Sequence, residues 1–169
     1  NMIVDPDDAT KSETITVGNK EIRMTNVELQ TTTEKALIEL AQVSGNRLVD
    51  NVVTGEVNIQ LVSSIPNTYG TYTLEFSTPL GAKATAQLIV SDVIPPEITA
   101  NDNVSYTVNS VIDETQFLTD IQAQMNEAGS WTTDFDTAVS LDTVGSYEVT
   151  VTATDLANLT SSQTVTVHV

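Results

Sequence analysis

A chain of 169 residues has room for one large domain or two small ones, and an apolar content of 40% supplies folded cores. Its charged content of 17% is too low for a charge-driven disordered chain, and a formal net charge of −17 repels phosphate. Nucleic acid and anionic membranes are therefore poor partners. With no cysteine, disulfides, thiolate metal sites and cysteine nucleophiles are excluded together. Aromatic residues are few while Thr and Val abound, which leans the chain towards an all-β class. Every Lys and Arg (Lys11, Lys20, Arg23, Lys35, Arg47, Lys83) precedes residue 94. The first part thus carries 12 acids against 6 bases, and the second 11 acids against none.

Taken in order, Asp5-Pro6-Asp7-Asp8 is a turn-like acidic cluster. Thr14–Val17 and Glu21–Thr25 read as short strands around Gly18-Asn19, a hairpin turn. Thr31 with Glu34 fits a capping box, and Leu37, Leu40 and Ala41 share one helical face. Gly45-Asn46 should stop that helix. Val57, Ile59 and Leu61 alternate with polar residues, and Pro66-Asn67 turns the chain into Gly70-Thr71-Tyr72-Thr73-Leu74-Glu75-Phe76. Ala84, Ala86, Leu88 and Val90 close this part. Val93-Ile94-Pro95-Pro96 is the boundary between domains 1–93 and 94–169, and Pro95 and Pro96 make it a short, semi-rigid spacer.

The second part repeats the plan. Val104, Tyr106 and Val108 form a strand face, and Asp113 to Gln116 is a capping-box-like helix start. Phe117-Leu118 and Ile121 correspond to Ala36-Leu37 and Leu40 at an offset of 81. Ile121, Ala123 and Met125 alternate, so the helix should give way to a strand. Ala128-Gly129 is a turn, and Trp131 and Phe135 supply bulky core or edge side chains. In Gly145 to Asp155 the residues Tyr147, Val149, Val151 and Ala153 alternate with polar ones, the pattern of a strand half in a core. This stretch lies 75 residues after its echo, Gly70 to Phe76. The change of offset puts about six additional residues into the first domain, in a surface loop around Arg47 to Thr54. Val165, Val167 and Val169 finish the chain.

Short strands at regular spacing indicate a β-sandwich. The expected architecture is two tandem immunoglobulin-like β-sandwich domains, each with one short helix. Tyr72 and Tyr147, near the start of the penultimate strands, fit the tyrosine corner of such domains, with a buried ring and a bonded hydroxyl. Pro95-Pro96-x-Ile98, Phe117-Leu118-x-Asp120-Ile121, Asp134-Phe135, Gly145-x-Tyr147 to Asp155-x-x-Asn158, and Val165-x-Val167-x-Val169 carry a family resemblance. The chain resembles the bacterial Ig-like repeats of Gram-positive cell-wall-anchored surface proteins, above all those of listerial adhesins and internalins. The likeness covers residues 94–169 well and 1–93 in outline. The usual Asp-x-x-Gly-Asn turn reads Asp155-Leu156-Ala157-Asn158, without its glycine; the first domain has Ser77-Thr78-Pro79-Leu80-Gly81 there. The resemblance implies export, an extracellular place on the bacterial cell wall through a sorting signal elsewhere, and service as a stalk, spacer or adhesion module.

Catalysis is hard to assemble from these residues. The one histidine, His168, alternates outward with Thr164 and Thr166, and no nucleophile–base–orienter set can be named. Asp134 and Asp136 read as solvent-facing acids. No cofactor is expected. Calcium is the one metal that Asp92, Asp102, Asn103 and Asp155 suggest, but no Asp-x-Asp-x-Asp-Gly loop occurs, so turn-capping is the default. The second domain has no lysine for an isopeptide bond. Trp131 reads as a core residue, or as a ligand contact if it is exposed, and Gly45 to Gly55 is the other candidate contact. Expected partners are neighbouring repeats of the same chain and a host-cell protein or glycan. The alternatives to a stalk are a module that binds host molecules directly and an accessory domain of an extracellular hydrolase.

Overall fold

Alternating β-branched residues become ladders in a computed structural model that describes all of Asn1–Val169, with two units, Asn1–Asp92 and Val93–Val169. The first unit holds β1 (Met2–Asp5), β2 (Asp8–Val17), β3 (Glu21–Thr25), α1 (Asn26–Leu29), α2 (Glu34–Leu40), β4 (Val43–Val49), β5 (Val52–Glu56), β6 (Gln60–Leu61), β7 (Gly70–Ser77) and β8 (Lys83–Ser91). Its two four-stranded sheets run β1-β2-β4-β5 and β3-β8-β7-β6. All neighbours are antiparallel except β3 and β8, which run parallel. Ile15, Leu37, Leu74, Phe76 and Leu88 form the centre of the core, each at most 1% exposed.

Gly18-Asn19 does not close a hairpin. β2 pairs with β4 and β3 with β8, so these residues carry the chain from one sheet to the other. They also finish α2: the backbone N–H groups of Gly18 and Asn19 donate to the carbonyls of Gln42 and Ala41, and the Asn19 side chain donates to that of Leu40. The helix ends at Leu40 with Ala41 as its cap, and Gln42 just beyond, at a φ of 51°, takes the left-handed position usually given to glycine. Gly45-Asn46 lies within β4 instead of stopping the helix. A Cβ on Gly45 would come within 2.9 Å of Val57 and Ile59, so the glycine lets that segment lie against the strand.

The capping box also sits elsewhere. Thr25 and Glu28 form it at the start of α1, whereas α2 is capped by Thr33, whose hydroxyl accepts from Ala36 N–H. Its buried face is Leu37, Ile38 and Ala41, leaving Leu40 47% exposed. Arg47 to Thr54 is not a loop but most of the β4–β5 hairpin, turned by Asp50 and Asn51 at φ 52° and 63°.

In the second unit β9 (Ile98–Thr99), β10 (Asn103–Ser105), α3 (Glu114–Asp120), β11 (Gln124–Met125), β12 (Gly129–Thr133), α4 (Phe135–Ala138), β13 (Ser146–Asp155) and β14 (Thr160–His168) follow one another. The main sheet runs β10-β14-β13-β12, and β11 pairs with β9. Again the last strand has one parallel neighbour, β10. Val149, Val151, Val165 and Val167 are fully buried beneath Phe117 and Phe135, whose rings stack 4.6 Å apart. Each unit has two helices instead of the expected one, because α1 and α4 are single turns of four residues, too short to show a helical period.

Superposing landmarks corrects the helix offset. N-caps Thr33 and Asp113, buried Leu37 and Phe117, and left-handed Gln42 and Gln122 are all 80 apart, so the first unit carries five more residues, not six. The chain is all-β, built of Ig-like domains.

Removing the stacked ring should be costly. Phe117→Ala is expected to destabilise the second unit by about 3–5 kcal/mol, leaving the first unit's denaturant transition in place. A midpoint shift under about 1 kcal/mol would contradict this packing.

Candidate functional site

The strand-end corners are built alike in both units. Gly70 and Gly145 lead into β7 and β13, which put Tyr72 and Tyr147 at the first inward positions. Tyr147 Oη donates to the Thr143 carbonyl at 2.7 Å, and Tyr72 Oη to the carbonyls of Thr68 at 2.8 Å and Tyr69 at 3.1 Å. The rings are half-buried, not buried as expected, because they lie at the sheet's end and cover the core's rim. Each hydroxyl ties the incoming loop to the strand four residues on.

The β13–β14 turn shows what replaces the missing glycine. Asn158 takes the left-handed position at φ 64°, while Asp155 Oδ1 accepts from the backbone of Ala157 and Leu159, both at 2.9 Å. In the first unit Gly81, at φ 100°, and Thr78, whose hydroxyl accepts from Ala82 N–H, fill the same roles.

Other acids considered for calcium have protein partners within their own units. Asp102 accepts from the Gln163 amide, Asn103 Oδ1 meets His168 Nε2 at 2.9 Å, and Asp92 accepts from Asn26. Asp134 accepts from Thr150 N–H, and Asp136 is exposed on α4. His168 is exposed, its other ring nitrogen 3.0 Å from Ser146 Oγ.

Trp131 is not an exposed loop residue. It lies in β12, half-buried and packed against the core, so it offers a partner little surface. Gly45 to Gly55 is hairpin, with Val52 65% and Val53 58% exposed on the edge strand. Pro95 is exposed, whereas Pro96 is buried and its carbonyl accepts from Ser161 Oγ.

Two polar groups were missed in the sequence. Glu13 is fully buried in β2; Oε1 accepts from Leu80 N–H at 2.8 Å and Oε2 lies 3.7 Å from the Arg47 guanidinium on β4. The signal was there, since Glu13 is in phase with inward Ile15. Tyr106 donates to Asp120 Oδ2 at 2.8 Å and meets Phe135 edge-on. Burial, and then the bond to the Asp120 carboxylate, holds this phenol well above the usual tyrosine range.

Comparison with known proteins places the second unit. The family model described as Internalin K domain (D3/D4) matches residues 96–169. Internalin I of Listeria monocytogenes serotype 4b is 44% identical over 57 residues, or 34% of this chain, and Internalin I of serovar 1/2a is 42% identical over 57 residues, again 34% of the chain. Each match spans 3% of the relative's length. A solved structure of fibronectin(III)-like modules of Clostridium thermocellum CbhA covers 92% of this chain and 93% of its own, at 9% identity and a TM-score of 0.30, too distant to bear on the arrangement.

Two measurements probe these corners. Tyr147→Phe should cost about 0.5–1.5 kcal/mol in denaturant unfolding of the second unit, the range for one hydrogen bond; an unchanged midpoint would remove the corner's energetic role. For Tyr106 the native pKa is raised, so its stabilising contribution is whole below about pH 10 and lost as pH rises further. Absorbance titration should show a late tyrosine ionisation, above the usual range and together with unfolding, and Tyr106→Phe should abolish that step. A late step that persists in Tyr106→Phe would contradict it. Over its second unit, the chain is similar to the internalin-type repeats of listerial surface proteins.

Proposed function

We propose that this chain is a non-enzymatic stalk or spacer segment of an extracellular bacterial surface protein, holding a binding region away from the cell wall. One observation carries the reading: the same final hairpin, with the same capped helix, tyrosine corner and parallel last strand, is built twice in one chain. Repetition of a scaffold with different surface residues serves length and orientation better than it serves a single chemical site. The match to an internalin domain supports the surface setting. Of the two acids that a hydrolytic reading would use, Asp134 is engaged as acceptor of the Thr150 N–H and Asp136 is exposed on α4. The mechanism is geometric: each ordered domain adds a fixed increment of reach, and the Pro95-Pro96 segment restricts φ at the joint.

A second reading, direct contact with a host protein, rests on an apolar row across the first sheet, where Val4, Leu48 and Val53 lie in register through Ser12. Val4 is 47% exposed and Val53 58%. One exchange separates the two. Replacing residues 1–169 in the parent protein by two unrelated β-sandwich domains of similar length should leave bacterial attachment to host cells unchanged. If attachment is lost with the replacement but survives in a length-shortened parent that keeps this segment, the spacer reading fails and direct contact replaces it.

A further inference from the structure

The parallel pairing of the last strand has a mechanical meaning that rests on the spacer reading. A stalk is loaded through its ends, and in the second unit tension enters through residues 93–96 and leaves after His168. β10 and β14 are parallel, with Asn103 opposite Thr166, Val104 opposite Val167 and Ser105 opposite His168. Tension therefore draws the N-terminal end of one strand and the C-terminal end of the other in opposite directions along the strand axis. Every interstrand bond is then strained at once, whereas a pair pulled apart from one end gives way one bond at a time.

The surroundings of this pair favour such a role. Thr166 N–H donates to the Asp102 carbonyl and Tyr106 N–H to the His168 carbonyl, both at 2.8 Å, so bonds extend past each end of the short ladder. The Gln163 side chain crosses to Ala100 O and Asp102, and His168 crosses to Asn103. Immediately after β10, Tyr106 is fixed by its ring on Phe135 and its hydroxyl on Asp120. Before β10 the chain is held by separate attachments and not by a parallel ladder: the antiparallel two-residue β9·β11 pairing, Glu97 and Asn126 bonded to each other, Asn101 N–H on the Ile121 carbonyl, and the Ser161 hydroxyl on the Pro96 carbonyl. We propose that β10·β14 is the mechanical clamp of the second unit, the element whose rupture sets its resistance to tension.

The first unit has the same parallel neighbour, β3 on β8, through Glu21 to Thr25. There, tension from the N-terminal side meets β1 and β2 first, since both precede β3 in the chain. The clamp argument is therefore cleanest for the second unit.

The chain has no native cysteine, so single-molecule handles can be placed at will. In the full chain, handles on Glu97→Cys and Val169→Cys load β10 against β14 in shear. Handles on Val111→Cys, a position 97% exposed, and Val169→Cys leave β10 outside the stretched segment. The second attachment should rupture at about half the force of the first or less, because the rate of forced unfolding follows the barrier along the pulled path. Thr166→Pro, which deletes one clamp donor, should lower the force in the first geometry only. Equal rupture forces from the two attachments would overturn the clamp. That result would leave the spacer reading standing, since the domain-exchange assay tests it independently.

Discussion

In each domain the longest ladder joins the last two strands, through eight residue pairs between Gly70–Ser77 and Lys83–Ser91 and nine between β13 and β14. Its inward row is apolar, with Leu74, Phe76, Val149, Val151 and Ala153 all at 0% exposure. A slip of one residue would turn that row into water and bring Glu75, Thr150 and Thr152 inside, so register is fixed by burial. What remains of each domain is arranged on this hairpin. The buried helix residue, Leu37 or Phe117, covers its apolar face, the parallel strand lines its open edge, and the tyrosine fastens its leading end.

That hairpin is also what the sequence displays most openly, because a period of two over ten residues has few competing explanations. The sandwich class follows from it, as do the inward faces of β8 and β14. Elements defined by tertiary pairing were less legible. Gly18-Asn19 between two strand-like runs has the chemistry of a hairpin turn, yet the strands belong to different sheets. Nothing local distinguishes the two cases. Likewise Thr25, Thr31 and Thr33 are all plausible caps, and the choice is made by which following residues can face the core: Leu37 and Ala41 can, and Leu40 cannot. Of the candidate site residues, Tyr72 and Tyr147 could be placed because one geometry explains both copies. Trp131 could not, because the strand that turns it inward has only five residues and runs almost directly into α4.

The two copies reach the same backbone geometry with different side chains. A left-handed residue closes helix α2 and helix α3, and it is Gln in both; a left-handed residue also turns the last hairpin, as Gly81 once and Asn158 once. The acceptor that gathers that turn is a hydroxyl on Thr78 or a carboxylate on Asp155. The fold specifies the torsion angle and the acceptor position, and more than one residue satisfies each. This is why a motif written in letters weakens in the first domain while the architecture persists.

The same logic explains how the second domain carries 11 acids with no Lys or Arg to balance them. Several carboxylates are held by neutral donors in place of cations: Asp113 by Gln116 N–H, Asp155 by Ala157 and Leu159, Asp134 by Thr150, and Asp120 by Tyr106 and Gln116. A hydrogen bond to a charged acceptor is stronger than one between neutral groups, and it brings no second charge whose desolvation must be offset. The first domain uses cations as well: three of its ion pairs join two exposed side chains, where such pairs add little, and the fourth sets exposed Arg47 beside buried Glu13. Negative charge is therefore built into the turns and caps of the second domain. It makes the second domain repulsive to other acidic chains.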